Sequence, residues 1–234
     1  MPGLYTNTDP RDIATYAVAE AAHYLRLPVA TLRSWVFGRT YRTAAGRRRF
    51  DPVITLTEPA HRLLSFTNLV EAHVLAAIRR KHGVTLANIR SAIDHLQNRY
   101  GIDHPLAHVQ FKTDGINLFI EVLDHLVNVS RQGQVAIREV MEAHLQRIEH
   151  DDNGLAARLF PFTRPASTTE PQPKTVLIDP SVAFGRPVLA GTGIPTAVLA
   201  DRYTAGESIA ELAADYECDP AMIEEAIRCE LAAA

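Results

Sequence analysis

The sequence predicts a mainly α-helical chain with a small β component, an α+β fold. The predicted parts are an N-terminal winged helix-turn-helix, a middle hairpin-and-helix segment and a small C-terminal helix-turn-helix-like helical domain. Three observations predict it. Two short runs of helical spacing near the N-terminus are separated by Pro28, an arginine-rich stretch surrounds Gly46, and a second pair of capped short helices closes the chain. At 234 residues the chain is longer than a typical single domain. The expected division is 1–100, 101–161, a linker at 162–174, and 175–234.

In the first unit Val18, Ala21, Ala22 and Leu25 share one helix face at i, i+3, i+4, i+7 spacing. Pro28 restarts the chain, and Ala30 to Phe37 form a second short helix. Two short helices a few residues apart are the sequence form of a helix-turn-helix, whose second helix reads DNA. Leu32 is expected in the core, leaving Thr31, Arg33, Ser34 and Trp35 for the DNA side. Trp35 fits packing better than base contact, because indoles usually bury. Arg39, Arg42, Arg47, Arg48 and Arg49 flank the turn at Gly46. After a helix-turn-helix this pattern reads as a wing lying along phosphates, with a solvated basic loop as the plain alternative. Residues 51–100 read as a strand and two longer helices. The first carries Phe66, Leu69, Val70, Val74, Ala77 and Ile78 and closes at Arg79-Arg80-Lys81-His82-Gly83; the second carries Leu86, Ile89, Ile93 and Leu96.

In the middle, Val109–Lys112 and Ile116–Ile120 flank Thr113-Asp114-Gly115, the pattern of a β-hairpin. Val135 to Ile148 reads as a helix with an acidic end. His104 and His108, and the cluster of His144, Glu149, His150, Asp151 and Asp152, match no metal signature. No cofactor, metal or catalytic set is expected, and an enzymatic role is not.

Phe162 to Lys174 is rich in Pro, Ser and Thr and reads as an exposed linker. Val176 to Pro180 is a strand running into a turn. The run Phe184-Gly185-Arg186-Pro187-Val188-Leu189-Ala190-Gly191-Thr192-Gly193-Ile194-Pro195 is a loop shaped by glycine and proline. It is not a P-loop, since no lysine follows Gly193. Ser208 and Glu211 form a capping box, and Asp219-Pro220 opens the last helix. Ile209, Leu212, Ala213 and Tyr216 are expected to face a core, as are Ile223, Ala226, Ile227 and Leu231. Glu224, Glu225 and Glu230 make this second helix-turn-helix unfit for a phosphate-lined groove.

Charge follows the same division. Residues 1–100 hold 14 basic and 7 acidic residues, and the remainder 10 basic and 20 acidic. A basic front and an acidic back imply different partners. Hydrophobic residues make up 47% and charged residues 22%, ordinary values for a soluble chain. No run of about 18 apolar residues exists, so no membrane span is expected. The polar start lacks the form of a signal peptide, and two cysteines suit a reduced, cytoplasmic setting.

Tyr16–Ala22, Ala30–Trp35, the arginine wing and His82–Leu86 together resemble the MerR-type winged helix over about residues 12–97. The resemblance implies DNA binding as a dimer. No long coiled-coil helix is visible, so a homodimer would have to pair elsewhere. Gly185-x-Pro187-Val188-x-x-Gly191-Thr192-x-Ile194-Pro195, followed by Ala205-Gly206-x-Ser208, resembles the domain-of-unknown-function 433 family. The combination is similar to large VapB-type antitoxins of toxin–antitoxin systems. That resemblance implies a PIN-domain ribonuclease toxin as partner, operator DNA as ligand and repression of the chain's own operon. It assigns toxin contact to Gly185, Arg186, Pro187, Val188, Gly191, Thr192, Ile194 and Pro195. Arg186 reads either as a surface loop residue or as a guanidinium pairing with the toxin's carboxylates. The alternative function is a stand-alone regulator sensing a small ligand.

Overall fold

The computed structural model describes residues 9–43, 46–79, 84–164 and 172–231. Helix α1 (Val18–Tyr24) buries Val18, Ala21, Ala22 and Tyr24, and Glu20 reaches back to the Ala17 N–H (3.4 Å) in place of a capping hydroxyl. Arg26 turns the chain with φ 52°. Helix α2 (Val29–Phe37) then starts behind Pro28, which has no side-chain cap to give. Leu32, Trp35 and Val36 face inward, and the Trp35 indole is fully buried. The Trp35 carbonyl accepts from the Val53 and Ile54 amides (2.7 and 3.1 Å), so the segment after the wing folds back onto this helix.

The wing is as expected. Strand β1 (Arg39–Thr43) pairs antiparallel with β2 (Gly46–Phe50). Gly38, at φ 70°, is required at its root, because a Cβ there would meet the Phe50 carbonyl oxygen at 2.3 Å. The strand expected after the wing is absent from residues 51–65, where only Leu64 forms a bridge, to Tyr16. Ile54 and Leu56 alternate into the core as a strand would, but the backbone here is bound by the Trp35 carbonyl and the Asn68 side chain rather than by a neighbouring strand. Helices α3 (Phe66–Arg79) and α4 (Leu86–Tyr100) follow. The proposed closure of α3 at Arg80 to Gly83 lies outside the described residues.

The middle segment corrects the expected hairpin. Residues Phe111–Gly115 form a π-helical turn that runs directly into α5 (Ile116–Val127). Asp114-Gly115 does not turn the chain, because Gly115 is right-handed helical (φ −66°, ψ −30°). Gly115 serves close packing instead: a Cβ would lie 2.8 Å from Phe111 Cδ2. The alternation from Ile116 to Ile120 coincides with the start of a helical face that continues to Leu123, and the longer period wins. Helix α6 (Arg131–Leu145) ends earlier than expected, and the real hairpin follows it: β3 (Ile148–His150) pairs with β4 (Ala156–Leu159). The acidic residues read as a helix end form its turn. The Asp151 carboxylate accepts from the Asn153 and Leu155 amides, and Gly154 takes φ 79°.

Except for exposed Lys174, the described ends of the expected linker are docked rather than exposed. Arg147, buried, donates to the carbonyls of Phe160, Pro161, Gln172 and Pro173 at 2.7 to 2.9 Å and stacks on Phe162. Burial lowers its guanidinium to about 10, still charged at neutral pH. Polar composition misleads here because arginines satisfy the backbone that water would otherwise solvate. Beyond it, Leu159 and Ile178 exchange hydrogen bonds (2.9 and 2.8 Å), and β5 (Val176–Leu177) pairs with β6 (Val188–Leu189). Helices α7 (Thr196–Thr204), α8 (Ile209–Asp215) and α9 (Pro220–Leu231) enclose a second small core of Leu189, Leu199, Leu212, Ile223, Ala226 and Ile227. The Ser208–Glu211 capping box is present. Leu231, expected in that core, is exposed.

Two outcomes follow. Arg147→Met strands four buried or half-buried carbonyls and should lower unfolding free energy by about 2–4 kcal/mol in denaturant titration; a loss under about 1 kcal/mol would show that water replaces the side chain. The second concerns His104, whose Nδ1 lies 3.1 Å from the buried Glu71 carboxylate. Burial pushes this imidazole down, but the Glu71 hydrogen bond and charge, with Asp12 and Asp103, leave it above its ordinary value. A raised folded value contributes stability that is complete below about pH 6.5 and is lost as pH rises through that value. Thermal melts should therefore show wild type losing its advantage over His104→Gln on going from pH 6 to pH 8.5. Parallel pH profiles would refute the assignment.

Candidate nucleic-acid interface and signature loop

The basic face is assembled from three places. Arg33 is exposed on α2, Arg39 and Arg49 stand at the root of the wing, and Arg62 comes from the loop before α3. With Phe37, Gly38 and Thr40 they line one open hollow of about 320 Å³. The Arg62 guanidinium lies 4.4 Å from the centroid of the Phe37 ring, an arrangement that orients it without neutralising it. Pairing of Arg42 with Arg47 and of Thr40 with Arg49 puts these three arginines on one face of the wing. Tyr41 pairs with Arg48 on the other face, with Arg39 and Phe50; of Arg48 only the backbone is described. That second face is braced from α4, where Arg90 donates to the Pro52 and Asp51 carbonyls and stacks on Phe50 (4.9 Å).

Thr31 and Ser34 are half-buried, and the Ser34 hydroxyl donates back to the Thr31 carbonyl (2.7 Å). Arg33 is thus the exposed charged group on the recognition helix, and Trp35 is packing. Arg62 was missed in the sequence because it stands alone among neutral neighbours. Only the fold brings it to the wing. Asp51 forms an ion pair with Arg49 at 3.2 Å, both side chains being exposed.

The signature loop divides in two. Gly185, Pro187 and Val188 are buried within the chain itself. The Tyr16 hydroxyl donates to the Gly185 carbonyl (2.8 Å), and a Cβ on Gly185 would fall 2.3 Å from that hydroxyl oxygen. Burial, with the Glu20 and Asp179 charges, pushes the Tyr16 phenol up, so it remains a donor. Arg186, exposed, reaches Glu20 at 3.3 Å, and Glu20 also accepts from the Tyr24 hydroxyl (3.0 Å). This half of the loop is therefore seated on α1. The other half faces out. Gly191 and Thr192 are exposed, Ile194 and Pro195 half-buried, and the turn holds itself through Thr192 Oγ1, which donates to the Leu189 carbonyl and accepts from the Ile194 amide. Gly191 and Gly193, at φ 81° and 74°, meet open space, so their glycines serve the backbone angle.

The acidic residues of α9 prove mixed in role. Glu225 is buried and accepts from Thr163 Oγ1 and from Arg164 Nε (2.7 Å). Glu230 accepts from Thr196 Oγ1 and lies 3.8 Å from His23 of α1. Glu224 pairs with Arg228 on the exposed side. Among the described residues no group of three or more His, Cys, Asp or Glu is placed to hold a metal ion, and no helix is long and apolar enough to cross a membrane.

Comparison with known proteins fits both halves. Residues 14–93 match a family model described as "Putative DNA-binding HTH domain", and residues 176–228 match "Protein of unknown function (DUF433)". A Mycobacterium tuberculosis protein described as "Putative antitoxin VapB45" is 33% identical over 234 residues, covering 92% of this chain and 93% of the relative. The uncharacterized protein Rv2308 of the same organism is 26% identical, covering 94% and 91%. The crystal structure of Rv2018 from M. tuberculosis superposes with a TM-score of 0.63 at 26% identity, covering 92% of this chain and 98% of that one. By sequence along nearly its whole length, the chain belongs to the family of the mycobacterial VapB45 protein, with a helix-turn-helix DNA-binding domain at its front and a DUF433 domain at its back.

Proposed function

We propose that this chain is the antitoxin of a type II toxin–antitoxin pair, acting by binding and not by catalysis. The observation that carries the DNA-binding half is the hollow between recognition helix and wing that Arg33, Arg49 and Arg62 line, with Arg39 at its edge. Three arginines around one concavity suit the phosphates flanking a major groove, with Arg33 placed to reach base edges. The partner half rests on the DUF433 domain and on the relative described as an antitoxin. In this reading residues 1–100 bind the operator, 101–161 brace or pair subunits in a homodimer, and 175–234 hold a PIN-domain ribonuclease. The bound pair then represses its own operon. Arg186 is engaged by Glu20, so its use against a toxin carboxylate would require exchanging one carboxylate for another. The polar hollow of about 380 Å³ beside Arg11 and Arg158 gives little support to a small-ligand sensor, because both guanidinium groups already bind carboxylates, Asp9 and Asp151, and Glu149 and Asp179.

DNA titrations at several salt concentrations test the front. Arg49→Ala and Arg62→Ala should each weaken operator and random DNA alike and reduce the log–log salt slope by about one. Unchanged slopes would remove these residues from the interface. Arg33→Ala should instead cost about 1–3 kcal/mol on the operator and little on random DNA. Asp51→Asn should tighten binding modestly, since it frees Arg49 and removes a repelled carboxylate; weaker binding would show that the pair positions Arg49. For the back, the adjacent gene should encode a PIN-domain nuclease, and growth of cells expressing it should be rescued by the full chain. Failure of both rescue and copurification would overturn the antitoxin reading.

A further inference from the structure

Phe184 is 89% exposed, the most exposed of the large apolar side chains in the described residues. A single exposed apolar residue is ordinary on a protein surface. The backbone beneath this one is not. Ala183, Phe184 and Gly185 take φ 47°, 56° and 76° in succession, a left-handed turn in which only the glycine is at ease. For a bulky residue such as Phe this conformation is a rare outlier. The turn is nonetheless firmly held. Asp179 Oδ1 accepts from the Ser181 amide (2.9 Å) and hydroxyl, the Gly185 and Arg186 amides donate to the Val182 and Ala183 carbonyls, and the Tyr16 hydroxyl fixes the Gly185 carbonyl. Arg158 holds the Asp179 carboxylate at 3.2 Å, and with Ser181 it outweighs the burial that would raise this group, keeping it ionised. The fold thus accepts an unfavourable backbone and an unburied ring at one position, and braces both.

Such strain persists where surrounding structure imposes it, and it clusters at binding sites. A rigid aromatic projecting from a braced turn loses little freedom on burial, which is the property of an interface anchor. The domain that carries it has ten acidic and three basic residues over 175–234, a net charge of −7. That field favours a basic partner surface. We infer that Phe184 is the anchor by which the DUF433 domain docks into an apolar pocket on a basic partner protein, which, on the reading proposed above, is the ribonuclease toxin whose surface must attract RNA. The exposed half-loop at Gly191 and Thr192 and the exposed Arg186 would then form the polar rim.

The test uses the full chain and the purified product of the adjacent gene, which on this reading is a PIN-domain ribonuclease. Asparagine tolerates the left-handed region. Phe184→Asn should therefore melt at or above the wild-type temperature while its affinity for the nuclease falls by roughly 30-fold or more. Phe184→Leu should fall between the two. If wild type binds and Phe184→Asn binds equally well, the anchor is elsewhere and the antitoxin reading stands. If the substitution abolishes self-association of the chain and leaves nuclease affinity intact, the pocket belongs to a second copy and the inference is wrong. If wild type does not bind the nuclease at all, both the inference and the antitoxin reading fall.

Discussion

A guanidinium in the turn of a helix-turn-helix must find acceptors once it is covered, and the chain supplies them from its far end. Arg26 donates to the carbonyls of Phe162 and Thr163 and to that of Arg228 in the last helix. Burial lowers this group, but it remains charged at neutral pH, so each carbonyl it loses leaves part of a cation unsolvated. Three segments, two of them more than 130 residues from Arg26, are therefore held at one point. Arg147 does the same, binding the carbonyls of Phe160 and Pro161 and of Gln172 and Pro173 close to where Leu159 pairs with Ile178. Both arginines bind main chain rather than carboxylates. That choice explains why residues 162–163 and 172–173 lie against the body of the protein.

The consequence is a shared wall between two domains with separate hydrophobic cores. The large core holds Trp35, Leu69 and Phe119, and the small one holds Leu189, Leu199 and Ile223. Between them lie Tyr16, Glu20, His23 and Arg26 on one side and Gly185, Arg186, Glu230 and the Arg228 carbonyl on the other. Helix α1 is thus at once the scaffold of the recognition helix and the seat of the signature loop. Half of the loop's glycine–proline pattern serves this seat, which leaves Arg186 and the Gly191–Thr192 turn as its outward surface.

Much of this was legible in the sequence. The winged helix-turn-helix, the arginine wing, the Ser208–Glu211 box and the helix opened by Asp219-Pro220 all appear where local spacing places them. Local rules determine such elements, and the core agrees with them. The failures have two causes. Asp114-Gly115 looks like a turn to a short window, yet Ile116, Phe119, Ile120 and Leu123 require a helix that only a longer window shows. Residues 162–164 look like solvent-exposed linker because Arg26 and Arg147 are remote in sequence. Arg62 looks unremarkable until the fold lays it beside Phe37. Glu225 reads as one of several surface acids, and it is the buried partner of Thr163 and Arg164. Apart from the Asp114-Gly115 window, each miss is a pairing across many residues, to which no periodicity points.

Through the Arg26 and Tyr16 contacts the DNA-binding and DUF433 domains form one mechanical body. The chain carries probes for each half: Trp35, its single tryptophan, lies in the front core, and Cys229, buried in α9 with its thiol pushed up to about 12 by burial, lies in the back. In a Cys218→Ser background, denaturant titration should give the same midpoint by Trp35 fluorescence and by thiol labelling of Cys229. Labelling of Cys229 at denaturant concentrations where Trp35 is still native would instead show that the back domain opens on its own.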